Sequence, residues 1–262
     1  MNKKILNKRE IQLEELKILK EVVKIIDESN LHYFLCGGTL LGAIRHKGFI
    51  PWDDDIDIMM PREDYEKFVE IFDIKNKNEE LKMTALELNN LFQPFCKIIN
   101  TNIEIKDESV CDSKKRNLWI DVFPMDRCKK EKYIFKFKII KKLKKIIYLR
   151  EYKTNLKNGN ILKNVFRIVL RPISFLVSGR TIRKIAVSEP NGKYIANVVW
   201  GYGENEIMPY DEAFEYIDVE FEKEKFNGLK SYDKYLTKLY GEYMQLPPEE
   251  KRVTHNIKAW RK

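Results

Sequence analysis

Four aspartates fall within five positions, Asp53, Asp54, Asp55 and Asp57, with Ile56 and Ile58 set between and after them. Two carboxylates about 4 Å apart repel by roughly 4 kcal/mol at an effective dielectric of about 20. A fold that gathers them must keep protons on them or bring in a cation. From Asp55 to Ile58 polar and apolar residues alternate with the period of a strand, which predicts Asp55 and Asp57 on one face and the isoleucines on the other. Converging hard oxygen donors suit Mg2+ or Mn2+. Upstream, Gly37-Gly38-Thr39 stands where an apolar run meets a helical pattern. Such a turn lets backbone approach a phosphate, and the amino end of the helix adds partial positive charge. Downstream, Asp121 is the odd member of Leu118-Trp119-Ile120-Asp121-Val122-Phe123, and an acid inside an apolar strand is costly to bury alone. Two carboxylates on one strand and a third from a neighbour can hold two metal ions, which stabilise the attacking and leaving oxygens of an in-line phosphoryl displacement.

The stretch from Gly37-Gly38-Thr39-Leu40-Leu41-Gly42 through Arg45-His46-Lys47-Gly48-Phe49-Ile50-Pro51-Trp52-Asp53-Asp54-Asp55-Ile56-Asp57-Ile58 resembles the signature of the LicD-type phosphocholine transferase family. Arg62-Glu63-Asp64-Tyr65-Glu66-Lys67-Phe68, Trp119-Ile120-Asp121-Val122-Phe123-Pro124-Met125-Asp126 and Tyr240-Gly241-Glu242-Tyr243-Met244-Gln245-Leu246-Pro247-Pro248 are similar to that family too. The resemblance covers most of the chain and is weakest over residues 129–190. It implies an α+β fold of the nucleotidyltransferase superfamily, a mixed β-sheet core packed with helices, here with a basic helical insertion. It also implies a Mg2+-dependent transferase that moves phosphocholine from CDP-choline to a hydroxyl of a surface glycan such as teichoic acid or a capsule precursor. Ribitol phosphate, as in fukutin-type relatives, or glycerol phosphate are alternatives, as is nucleotidyl transfer to RNA or a sugar phosphate.

Carried over residue by residue, Asp55 and Asp57 match the paired metal carboxylates, Asp121 the third, and Gly37, Gly38 and Thr39 the turn that holds donor phosphate. One of the three aspartates would help deprotonate the acceptor hydroxyl. Asp53 and Asp54 either support those ligands or cap the loop. Arg45 stands near a helix end, where a cation suits the dipole and could also meet phosphate. Lys97 interrupts the apolar Phe95-Cys96-Lys97-Ile98-Ile99, as a phosphate-facing or a snorkelling lysine. Trp52, Trp119, Trp200 and Tyr202 are aromatics that a quaternary ammonium could use, Trp52 the best placed of them. Arg252 and His255 have no assigned role.

Several elements must position these groups. Residues 8–29 read as an amphipathic helix with Ile11, Leu16, Leu19, Val23 and Ile26 on its stripe. A strand from His32 to Cys36 leads to a helix, Leu40 to His46, capped by Thr39. A strand over 55–60 gives way to a helix from Pro61 to Phe72. Strands follow at Leu81 to Leu88, Phe95 to Ile99, Asn102 to Lys106 and Leu118 to Phe123, the last closed by Pro124. Two or three helices fill 129–184, broken near Asn158-Gly159-Asn160, Pro172 and Gly179. A strand at Glu215 to Phe221 and a helix at Tyr232 to Tyr240, stopped by Gly241, precede an irregular or short helical tail. The expected organisation is a catalytic core over 1–128, a basic insertion over 129–190, and a segment over 191–262 that completes the core.

The chain has 262 residues and a net charge of +9, yet residues 129–184 alone carry +16, so the remainder carries −7. That segment interleaves Lys163, Arg167 and Arg171 with Ile161-Leu162, Val165-Phe166, Ile168-Val169-Leu170 and Ile173 to Val177. A solvated helical face, nucleic acid and anionic lipid are the three uses of such a pattern. No aromatic-rich RNA-binding signature accompanies the charge, so nucleic acid is not expected; the family resemblance implies that the glycan acceptor is lipid-linked. Cys36, Cys96, Cys111 and Cys128 form no Cys-x-x-Cys pair, which argues against structural zinc and a disulfide framework. With no signal-peptide core and no run of 18 apolar residues, a cytoplasmic location follows as the default, with peripheral contact on the inner face of the cell membrane.

Overall fold

The computed structural model describes residues 4–107, 116–149, 161–186, 189–252 and 257–262, so the break expected at Asn158-Gly159-Asn160 and the tail residue His255 lie outside the described residues. In chain order the elements are β1 (Lys4–Leu6), α1 (Lys8–Asp27), β2 (Phe34–Leu35), α2 (Gly37–His46), β3 (Asp57–Pro61), α3 (Arg62–Lys75), β4 (Leu81–Thr84), β5 (Cys96–Asp107) and β6 (Arg116–Cys128). They continue as α4 (Lys130–Tyr148), α5 (Ile161–Ser174), α6 (Gly179–Ala186), β7 (Tyr194–Ala196), β8 (Met208–Pro209), β9 (Tyr216–Phe221), β10 (Glu224–Leu229), α7 (Tyr232–Tyr240) and β11 (Ile257–Arg261).

Among the described residues the main sheet runs β1-β11-β5-β6-β3-β2. β4 pairs with the first half of β5, and β7 joins the far end of β6 and carries β8. The β3–β6 pair is parallel and its neighbours are antiparallel, so the sheet is mixed and the fold is α+β. β9 and β10 form a separate hairpin. α1 and α3 pack on β6, and the main core is built from Leu19, Val22 and Ile26 of α1, Phe68 and Phe72 of α3, and the inward side chains of β3, β5 and β6. A second cluster lies between α4, α6 and the β7 region, around Tyr133, Ile140, Ile147 and Ile182.

Local chemistry explains the boundaries. Asn7 and Glu10 form a reciprocal cap at the start of α1: Asn7 Oδ1 accepts from the Glu10 N–H at 2.9 Å and Glu10 Oε2 accepts from the Asn7 N–H at 2.9 Å. Gly241 follows α7 at φ +67°, a conformation glycine adopts without strain.

Several expectations from the sequence are corrected. α2 begins at Gly37, its cap residue is Cys36, and Thr39 lies inside the first turn. Pro61 ends β3 and precedes α3 instead of opening it. The two strands expected around residues 95–106 are one strand, β5, with a register shift between Asn100 and Glu104. Asn117 Nδ2 donates there to the carbonyls of Thr101 and Ile103 at 3.0 and 3.1 Å. Pro124 does not close β6. The Asp121 N–H bonds Ile56 O on the β3 side, so by alternation the Pro124 nitrogen faces the other side, where pairing with β5 has ended at Val122. Pro172 lies within α5. The tail forms a strand, β11, between β1 and β5.

One buried ion pair ties α3 to β6. Arg62 Nε and Nη2 donate to Asp126 Oδ1 and Oδ2 at 2.9 and 2.8 Å, and both side chains are nearly inaccessible. Removing one partner of such a pair strands a buried charge. Asp126→Asn should therefore destabilise the fold by about 3–5 kcal/mol, and the double change Arg62→Met with Asp126→Leu should recover most of the loss. Urea unfolding midpoints measure both.

Candidate active site

Three adjacent strands bring the chemistry together. Across the parallel β3–β6 pair Asp57 stands opposite Asp121, and across the antiparallel β5–β6 pair Lys97 stands opposite Asp121. Partners in register share a face, so Lys97, Asp121 and Asp57 form one lateral row. The flanking Cys96, Ile98, Ile120, Val122, Ile56 and Ile58 are fully buried on the opposite side. The alternation expected for Asp57 and its isoleucines is thus what the backbone shows, and Asp55 lies in the lead-in just ahead of β3.

Each member of the row is held. Lys97 Nζ donates to Asp121 Oδ1 and lies 4.3 Å from the centre of the Trp119 ring. Trp119 Nε1 donates to Asp121 Oδ2 at 3.0 Å. The Asp57 N–H donates to Thr39 Oγ1 at 2.9 Å, and the Cys36 N–H to Asp57 O at 3.1 Å, which lock the first turn of α2 against β3. Burial raises the Asp57 carboxyl well above the usual carboxylate range; Asp55 and Asp121 push it further, and Lys97 opposes them.

The acidic loop is clamped by α1. Gln12 Nε2 donates to Asp53 O at 2.8 Å, and Lys8 Nζ to Trp52 O at 3.2 Å. Glu15 is buried to 2% exposure, and its Oε2 has no hydrogen-bond partner. Burial, followed by the charges of Asp55, Asp54 and Asp53, drives its carboxyl well upward. Asp54 is buried. Asp53 leans on the amino end of α2: a Cβ on Gly38 would stand 2.8 Å from Asp53 Oδ2. The Asp53 carboxylate thus lies beside the first turn of α2, where the helix end favours negative charge. Gly37 has φ +53°, and a Cβ there would lie 3.8 Å from both Asp57 Oδ2 and the Tyr240 hydroxyl.

Two further candidates have partners of their own. Arg45 Nη1 donates to the carbonyls of Tyr243 and Gln245, tying the end of α2 to the segment after α7. The Trp52 ring carries the Arg252 guanidinium 4.7 Å from its centre and meets His46 edge-on. Trp200 packs at a tilt against Phe95 and Tyr148, with Lys144 over its face. The aromatic pair beside Asp57 is Tyr202 and Tyr240, edge-to-face at 6.5 Å and partly exposed.

Carboxylate oxygens are the donor type that hard cations take, and three aspartates lie on or next to parallel strands here, one with its proton affinity raised by burial and then by its neighbours. Among the described residues no three acidic, thiol or imidazole side chains are grouped so as to hold a metal ion. Asp121 commits both oxygens to Lys97 and Trp119, so here the lysine supplies the positive charge that the row demands.

Glu206, Tyr235, Gln12 and Glu15 are not singled out by motif. Gln12 and Glu15 do leave a trace, since they are polar residues on the buried stripe of α1. Glu206 leaves none. It is buried, accepts from the Tyr202 N–H at 2.6 Å and the Tyr235 hydroxyl at 3.5 Å, and Tyr235 in turn accepts from the Gly37 N–H at 3.3 Å.

The sheet, the acid row and the glycine-started helix define an α+β domain organised around clustered carboxylates. Residues 30–167 match the family model described as LicD/FKTN/FKRP, nucleotidyltransferase domain. Lipopolysaccharide cholinephosphotransferase LicD of Haemophilus influenzae is 33% identical over 264 residues, covering 97% of this chain and 97% of its own. Ribitol 5-phosphate transferase FKRP of Homo sapiens is 43% identical over 53 residues, 19% of this chain and 11% of its own. RP689 of Rickettsia prowazekii is 30% identical over 102 residues, 35% of this chain and 38% of its own. The chain belongs to the LicD/FKTN/FKRP nucleotidyltransferase family.

Burial lifts the Glu206 carboxyl from 4.5 to about 7. Between those values folding takes up a proton, so the stability contributed by this group falls as pH rises through that window and then levels off. Glu206→Gln should lose that slope. Its stability relative to the parent should grow by roughly 3 kcal/mol from pH 4.5 to pH 7, as read from denaturant unfolding at a series of pH values; a difference that does not change with pH would refute the assignment.

Proposed function

We propose that this chain is a phospho-alcohol transferase that moves phosphocholine, or a related alcohol phosphate, from a CDP-activated donor to a hydroxyl of a cell-surface glycan. The observation that carries the reading is the lateral row of Lys97, Asp121 and Asp57 in a chain whose sequence is similar from end to end to a cholinephosphotransferase. Asp55, Asp57 and Asp121 would hold Mg2+ or Mn2+, which when bound neutralises diphosphate charge and steadies the departing CMP.

The remaining work falls to the chain. Gly37, Gly38 and Thr39 open a helix whose amino end favours an anion, and Asp53 occupies that neighbourhood with its carboxylate. Lys97 can neutralise a donor phosphate oxygen once Asp121 is otherwise satisfied, because its ammonium already lies in the row. Thr39 fixes the backbone of Asp57 and so the direction of its side chain. One of the three aspartates would help take the proton of the acceptor hydroxyl. Tyr202 and Tyr240, beside Asp57, can face a quaternary ammonium; good cation–aromatic contacts contribute about 0.5–2 kcal/mol each. A ribitol donor is the second reading, favoured by the local likeness to a ribitol 5-phosphate transferase. The acceptor glycan is proposed to be lipid-linked.

Phosphorus NMR of full-length protein with CDP-choline, CDP-ribitol or CDP-glycerol, Mg2+ and acceptor glycan tests the reading. CMP should accumulate with one preferred donor. Asp57→Asn should lower kcat by about a hundredfold or more, equivalent to roughly 3 kcal/mol. Release of pyrophosphate from a nucleoside triphosphate, in place of CMP from the CDP donor, would assign nucleotidyl transfer instead. Full turnover in Asp57→Asn would remove the acid row from the chemistry.

A further inference from the structure

Helix α5 is built inside out. Val165, Ile168, Val169 and Ile173 are 46%, 42%, 67% and 45% exposed, and Phe175 and Leu176 just beyond it are 69% and 83% exposed. The positions 165, 168, 169, 172, 173 and 176 recur at the spacing of one helical face, so these side chains form a continuous apolar stripe, with exposed Pro172 completing it. A helix with such a stripe normally turns it toward the core. Here α5 lies against α4, Ser174 is buried, and the stripe faces outward.

The surroundings say what should cover it. Lys138, Lys141, Lys142 and Lys145 of α4, together with Arg180 and Lys184 of α6, are exposed. Residues 129–184 carry +16 and the rest of the chain −7. An apolar ridge beside ammonium and guanidinium groups is complementary to an acidic lipid surface: acyl chains take the ridge and headgroups take the cations. The acidic remainder would be repelled by the same surface, which leaves this side as the one that can face it. Among the described residues no helix is long and apolar enough to cross a membrane, and the arrangement is suited to lying on one.

We infer that the outward stripe of α5, flanked by the basic side chains of α4 and α6, docks the chain on an anionic bilayer surface. This goes beyond the transfer reaction and is tested without any nucleotide or glycan.

Full-length protein is sedimented with vesicles of phosphatidylcholine alone and of phosphatidylcholine with phosphatidylglycerol. Binding to the anionic vesicles should be stronger by about tenfold or more and should weaken with salt. Val169→Glu with Leu176→Glu should abolish it while leaving the thermal unfolding transition in place, because both positions are exposed. Lys141→Gln with Lys142→Gln should weaken it without removing it. Equal binding to neutral and anionic vesicles, or undiminished binding of the glutamate variant, would overturn the inference. So would an RNA gel shift in the absence of vesicle binding. A dimer in analytical ultracentrifugation that the glutamate variant dissociates, again without vesicle binding, would assign the stripe to a second copy of the chain and overturn it too.

Discussion

Like charge set side by side is the constraint to which the surrounding structure answers. The registers of β5, β6 and β3 place Lys97, Asp121 and Asp57 in one line, and the loop before β3 adds three more aspartates. Carboxylates crowded in this way repel strongly where water is scarce. Some neighbours offset that charge and others hold the backbone that carries it. Lys97 and Trp119 engage Asp121, Thr39 fixes the backbone at Asp57, Gln12 and Lys8 hold the loop, and the amino end of α2 faces Asp53. Glu15, buried against the same loop, is pushed to keep its proton. A protein that only needed stability would be better served without these acids, and their presence in a half-buried row is the kind of local conflict that marks a functional site.

How much of this was legible depended on range. The alternation from Asp55 to Ile58 and the odd acid in the strand around Asp121 are local signals, and both led to the row. α7 and its stop at Gly241 were readable from helical spacing and a glycine at the end. β11 was not, because its strand character comes from pairing Ile257–Arg261 with residues 103–107 far away in sequence. The bulge in β5 and the continuation of β6 through Pro124 escaped for a related reason. Whether a missing N–H matters depends on whether a partner strand still stands opposite it, and a single chain segment does not say. Lys97 was open between two roles in the sequence; its place opposite Asp121 is a property of register alone.

The site candidates divide in the same way. Asp57, Asp121, Lys97, Gly37, Gly38 and Thr39 come together around the start of α2 and the three-strand row. Arg45 is engaged by backbone carbonyls after α7, and Trp52 by Arg252. Tyr240 comes to the Gly37 side of Asp57 with Tyr202 packed against it, both from segments remote in the chain, and Glu206 reaches the start of α2 through Tyr235. No motif announces such contacts, since they are made by packing of the last third of the chain against the first. The charge of the basic helices, by contrast, was plain in the composition, and only their orientation reveals that the apolar side of α5 faces out.

The claim on which the account turns is that the aspartate row grips a divalent cation. Electron paramagnetic resonance of Mn2+ titrated into the full chain measures this directly, alongside Asp57→Asn, Asp121→Asn and the exposed control Asp218→Asn. The account expects the parent and the control to bind Mn2+ alike, and each row variant to bind about tenfold more weakly or worse, equivalent to at least roughly 1.4 kcal/mol. Equal Mn2+ affinity in all four proteins would contradict it.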